Sequence, residues 1–89
     1  EPLALAVWYM DDGFYDLEQK HSFIYLGRVS RPEAEIARSA ILRNFKIDAR
    51  VYDKKVKGFA LFFGVSETQK LHQLLKNYVV PSMKYKISP

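Results

Sequence analysis

Polar and apolar positions change rhythm several times along the 89 residues. Leu3 to Met10 is an unbroken apolar run, preceded by Pro2 and closed by Asp11-Asp12-Gly13. Proline suits a first helical turn, Leu, Ala and Met are strong helix formers, and Gly13 stands where a helix would stop, so the run predicts a helix. It shows no polar face, and a helix apolar all round must be buried all round. So short a chain has little material with which to wrap a central helix. One side is therefore expected in the chain's own core and the other against a second copy or a sibling domain.

Beyond Gly13 the pattern shortens to stretches rich in aromatic and β-branched residues, Phe14 to Leu17 and Ser22 to Leu26, parted by polar Glu18-Gln19-Lys20-His21. This predicts a hairpin. Ser30-Arg31-Pro32-Glu33 has capping-box spacing, and Ala34, Ala37, Ile41 and Phe45 recur at threes and fours, so a second helix is expected from about Arg31 to Asn44. Ala49 to Lys54 and Gly58 to Val65 predict a second hairpin, with Phe59, Leu61, Phe63 and Val65 alternating toward the core. Ser66 and Gln69 repeat the capping-box spacing ahead of a third helix that would bury Leu71, Leu74, Leu75 and Tyr78 and be bounded by Pro81. The expected fold is α+β, in the order α-β-β-α-β-β-α, with one four-stranded antiparallel sheet. Helices two and three would cover its inner face, leaving the other for solvent or ligand.

Length leaves no room for a second independent domain, and 48% hydrophobic with 15% aromatic residues excludes a disordered segment. The absence of cysteine removes disulfides, thiolate metal sites and a cysteine nucleophile, and fits a reducing compartment. The longest apolar run is far short of the roughly 20 residues a membrane helix needs. No secretory signal pattern is present, so an intracellular setting is expected, cytoplasm or organelle matrix. The chain opens on Glu1 rather than Met, as a processed product or a portion of something longer would.

A net charge of +4 inclines the chain toward a polyanion. Lys46, Arg50, Lys54, Lys55 and Lys57 fall within twelve positions on and just before the second hairpin, diluted by Asp48 and Asp53. A two-stranded ribbon fits the DNA major groove, so Arg50, Lys54, Lys55 and Lys57 are candidate DNA contacts, with Arg28 and, at the first hairpin tip, Lys20 and His21. His21 and His72 lack ligand spacing, the serines form no triad pattern with a histidine, and Trp8 and Tyr9 in an apolar helix read as packing. Asp11 and Asp12 are the unusual pair. Carboxylates at a helix C-terminus face the negative end of the macrodipole and call for a cation. Two such helix ends side by side would call for a divalent metal, and oxygen ligands without His or Cys indicate magnesium, manganese or calcium.

Leu5-Ala6-Val7-Trp8-Tyr9-Met10-Asp11-Asp12-Gly13 resembles the signature of the LAGLIDADG homing endonucleases in the intron-encoded branch that spells it close to L-A-x-W-[FY]-M-D-D-G. Pro81-Ser82-Met83-Lys84-Tyr85-Lys86 is similar to the P-x-M-x-Y-K segment closing that branch's repeat. Together with the element order, the likeness covers nearly the whole chain as one repeat, the C-terminal one. Against the parent nonapeptide only Leu5, Ala6, Asp12 and Gly13 agree. The resemblance implies that first helices of two repeats pack together, here over Leu5, Ala6, Trp8 and Tyr9. It implies that Asp12 binds metal, with Asp11 the lesser contributor, that the sheets form a saddle on duplex DNA, and that Lys86 acts beside the scissile phosphate. Val7 replaces the glycine that lets the helices approach, although Ala4 and Ala6 remain small.

The function expected from these residues and this likeness is metal-dependent, site-specific cleavage of double-stranded DNA, leaving a 5′ phosphate and 3′ hydroxyl, by a dimer or by half of a two-repeat enzyme. The alternative is a module that binds DNA or RNA without cutting, as intron maturases of the family do. A purely structural dimerisation domain would leave the basic hairpin unexplained.

Overall fold

The computed structural model describes residues 1–88. Helix α1 (Pro2–Asp12) runs directly into strand β1 (Gly13–Asp16), which turns into β2 (His21–Gly27). Helix α2 (Arg31–Phe45) leads to β3 (Arg50–Asp53), a 3₁₀ turn at Lys55–Lys57 and β4 (Phe59–Phe63), and α3 (Val65–Leu75) is followed by a 3₁₀ segment at Pro81–Lys86. The strands form one antiparallel sheet in the order β1-β2-β4-β3, so the two hairpins join through β2 and β4. This is the expected α+β order, with the tail folded as an added element.

Each boundary has a local cause. Ser30 Oγ accepts from the Glu33 N–H at 3.2 Å while the Ser30 N–H donates to Glu33 Oε1 at 2.7 Å, which closes the expected capping box of α2. Gly13 ends α1 for want of space: a Cβ there would strike the ring and carbonyl of Tyr9. Gly58 has φ of +92°, and a Cβ would meet the backbone of Gly27 and Arg28, so only glycine allows the second hairpin to close against the first.

The core lies between the helices and one face of the sheet. Leu5 and Tyr9 of α1, Ile41 of α2, Leu71 and Leu75 of α3, and Ile24, Leu61 and Phe63 of the sheet are buried in it. Several expectations are corrected. The cap of α3 is Gly64 without a side-chain bond, because β4 ends at Phe63 and the helix starts at Val65, two positions on; Ser66 already lies in the first turn. Val65 consequently leaves the strand and is exposed. Phe59 is only half buried, since the register shifts where Gly27 pairs with it. Tyr78 lies beyond α3 and faces outward, and Pro81 begins a helical segment of its own.

Helix α1 buries one side in the chain's own core, as expected. Leu5, Ala6 and Tyr9 are inside at 4%, 0% and 0% exposure, whereas Leu3 and Val7 remain 48% and 47% exposed. Burial of Leu5, Ala6 and Tyr9 in the chain's own core removes them from the expected contact with another helix. The face left free carries Leu3, Ala4 and Val7, with Trp8 half buried beside it.

Candidate functional site

Asp11 and Asp12 stand exposed at the C-terminus of α1, and among the described residues neither enters an ion pair. No basic residue lies in the last turn of α1. The cation comes from the tail: Lys86 Nζ donates to the Met10 carbonyl at 2.5 Å, one of the carbonyls that a helix end leaves free. The ammonium is therefore held at the negative end of the macrodipole, where an acidic helix end calls for a cation.

Lys86 is held at its backbone as well. The buried Tyr9 hydroxyl donates to the Lys86 carbonyl at 2.5 Å. The Ser88 N–H donates to Nδ1 of His72 at 2.8 Å, so the imidazole proton sits on Nε2, facing Ser22 Oγ at 2.9 Å and Tyr9 Oη at 3.1 Å. The edge of His72 also meets the Tyr15 ring, centroids 4.8 Å apart. His72 is thus a buried anchor that ties α1, β2, α3 and the tail together. From the sequence His72 reads as either structural or solvent exposed; its partners could not be found there, because they sit on separate elements and carry no shared motif. Burial raises the Tyr9 hydroxyl to about 12 and lowers His72 to about 4.

The His72 shift has a pH consequence. Unfolded chains protonate His72 near its ordinary value of 6.5, the folded chain only near 4. Its contribution to stability is complete above pH 6.5 and is lost as pH falls toward 4, by about 2 kcal/mol after allowance for partial solvation. Urea unfolding at pH 7.5 and 4.5 should show that loss for the native chain, and His72→Gln should narrow the gap between the two pH values by that amount. An equal gap in both proteins would contradict it.

The face of the sheet turned away from the helices carries three of the candidate DNA contacts, Arg50, Lys54 and His21, and the others lie at its ends. Arg50 lies over the Phe62 ring at 5.2 Å, and Lys54 over Tyr25 at 5.1 Å and Tyr52 at 5.7 Å. His21 meets Phe62 edge-on at 4.8 Å. Arg28 and Lys55 share a shallow recess at one end of the sheet with Gly58, and Lys57 is exposed beside them. Lys20 sits at the other end, in the left-handed region at φ of 64°. The acidic residues of this stretch are occupied elsewhere, Asp48 with Arg38 at 2.9 Å and Asp53 with the Lys55 N–H at 2.8 Å. The aromatic residues between these cations were not singled out in the sequence, although alternation with Ser22, Ile24 and Leu61 signals them.

The model of the LAGLIDADG DNA endonuclease family matches residues 1–71, from α1 into α3. A probable intron-encoded DNA endonuclease 3 of Mycosarcoma maydis is 31% identical over 85 residues, covering 96% of this chain and 62% of that protein. Protein RecA of Mycobacterium shimoidei is 31% identical over 106 residues, covering 99% of this chain and 24% of that protein, and RecA of Mycobacterium leprae (strain TN) is 34% identical over 107 residues, covering 99% and 14%. The chain thus spans less than two thirds of each of these relatives. In fold it is similar to the homing endonuclease I-WcaI, solved bound to its DNA recognition sequence, with a TM-score of 0.85 at 24% identity over 96% of this chain and 39% of that one. Among the described residues no helix is long and apolar enough to cross a membrane. With the acid-ended helix, both hairpins and the start of α3 inside the matched span, the chain belongs to the LAGLIDADG DNA endonuclease family.

Proposed function

We propose that the chain is one repeat of a site-specific, divalent-metal-dependent double-strand DNA endonuclease, completed by a second copy or a sibling repeat. The observation that carries this reading is that the helix ending in exposed Asp11 and Asp12 holds the Lys86 ammonium on its Met10 carbonyl. The donor set fits the metal: carboxylate oxygens without nitrogen or sulfur suit magnesium, and manganese or calcium could take the same place. Among the described residues no group of three or more metal-ligating side chains is assembled, so the second helix end would have to complete the site. A bound divalent ion would lower the pKa of a water and neutralise a phosphate.

The chain's own residues then have distinct tasks. Asp12 holds the ion, with Asp11 in support. Lys86 stabilises charge developing on the phosphate, its place fixed by Met10 and Tyr9. The free face of α1 brings the second helix alongside. Arg28, Arg50, Lys54, Lys55 and Lys57, with Lys20 and His21, neutralise the DNA backbone along the sheet.

Incubation of the chain and a sibling repeat with a randomised duplex library and magnesium should yield cut ends bearing 5′ phosphates, and chelation should abolish them. Lys86→Met should lower the cleavage rate about a hundredfold with DNA binding kept, the scale of losing one preorganised electrostatic stabiliser. Binding without cut ends in the native protein would replace this reading with that of a non-cleaving nucleic-acid module.

A further inference from the structure

The outer face of the sheet is paved with rings. Phe14, Phe23 and Phe62 lie in register across β1, β2 and β4, with Arg50 next in the row on β3. Tyr25 and Tyr52 flank Ala60 in the neighbouring row. Phe23 is the hub, its centroid 5.2 Å from Phe62, 6.0 Å from both Tyr25 and Tyr52, and 6.5 Å from Phe14. No element of the described chain covers this face, and Phe14, Tyr25 and Tyr52 are 46%, 38% and 50% exposed.

Such a face has few groups with which to read hydrogen-bonding edges of bases. Adenine is read in the major groove by Asn or Gln in bidentate contact, and none of the four strands contains either residue. Arg50 and Lys54, the cations set among the rings, are laid over ring faces. What the face offers is aromatic surface ringed by positive charge, and the feature of the groove that apolar side chains recognise is the 5-methyl group of thymine. Stacking of unpaired bases, the other use of an aromatic sheet, needs open ring faces. Here cations lie over Tyr25, Tyr52 and Phe62, and neighbouring rings surround Phe23.

Resting on the proposed nuclease function, we infer that this sheet face selects its half-site by apolar contact with pyrimidine 5-methyl groups, so that the base pairs over it are A·T. Phe23, Tyr25, Tyr52 and Phe62 are the specificity-determining residues, and the surrounding Lys and Arg supply affinity that is indifferent to sequence.

The test is selection of a bound half-site from a randomised duplex library, followed by resynthesis with deoxyuridine for thymidine at each position. The selected pairs over the sheet should be A·T, and each contacted methyl lost should weaken binding about threefold to fivefold, the scale of one buried methylene. Tyr52→Ala, on an edge strand with half its surface already exposed, should abolish the uracil penalty at one pair and leave it elsewhere. Selective duplex binding that is equal for thymine and uracil, or a G·C-rich half-site, would overturn this inference and leave the nuclease reading standing. Preference for single strands over any duplex would overturn both.

Discussion

Asp12→Asn should leave DNA bound and uncut. The substitution preserves size and hydrogen bonding but removes the negative charge that would hold the ion, at a position that is exposed and engaged in no ion pair among the described residues. Folding should be unaffected for that reason. Binding should persist and strengthen slightly, because one charge repelling phosphate is gone. Cleavage should fall about a thousandfold or more, since ion-derived charge stabilisation of several kcal/mol converts at 1.36 kcal/mol per factor of ten. Asp11→Asn should be milder. The assay scores cut product separately from retained complex, with magnesium saturating and the partner repeat present. Cleavage by Asp12→Asn at the native rate would remove the metal assignment and the nuclease reading with it.

Val7→Asp and Leu5→Asp should fail in different ways. Val7 is 47% exposed on the free face of α1, so an aspartate there stays hydrated in the isolated chain and leaves its melting temperature nearly unchanged. In a pairing of two such helices the charge would enter a dry contact, at a cost of about 3 kcal/mol or more, over a hundredfold in association. Leu5 is 4% exposed and packed in the chain's own core, so Leu5→Asp should unfold the chain outright. Sedimentation of the native chain and of Val7→Asp, alongside melting curves of both variants, separates the outcomes. Val7→Asp that pairs with native affinity would place the contact on another surface.

The contrast between Leu5 and Val7 marks the boundary of what one-dimensional pattern can say. A run apolar on every side carries no mark of which side faces the chain's own core. Only the docking of α1 against Ile24, Leu71 and Leu75 assigns Leu5, Ala6 and Tyr9 to the interior and Leu3, Ala4 and Val7 to the outside. The start of α3 is a similar case. Ser66 and Gln69 have the right spacing, yet the strand ahead of them stops where Phe63 pairs with Ser22, and that register decides the helix start.

Elements governed by neighbours close along the chain were legible from it: the capping box of α2, its apolar stripe, the two hairpins and the break at Gly13. Their causes span a few residues, which is the range over which backbone preference and side-chain spacing act. Asp12 and Lys86 could be picked out by likeness to a known motif, since that likeness is itself a string of adjacent letters. How Lys86 reaches the end of α1 could not. The bonds from Tyr9 to Lys86 and from Lys86 to Met10 join residues 77 and 76 positions apart, and Ser22 meets His72 across 50. No local rule relates such pairs. They form because the packed core brings the end of α1, the second strand, the third helix and the tail to one place, where each buried polar group must find a partner.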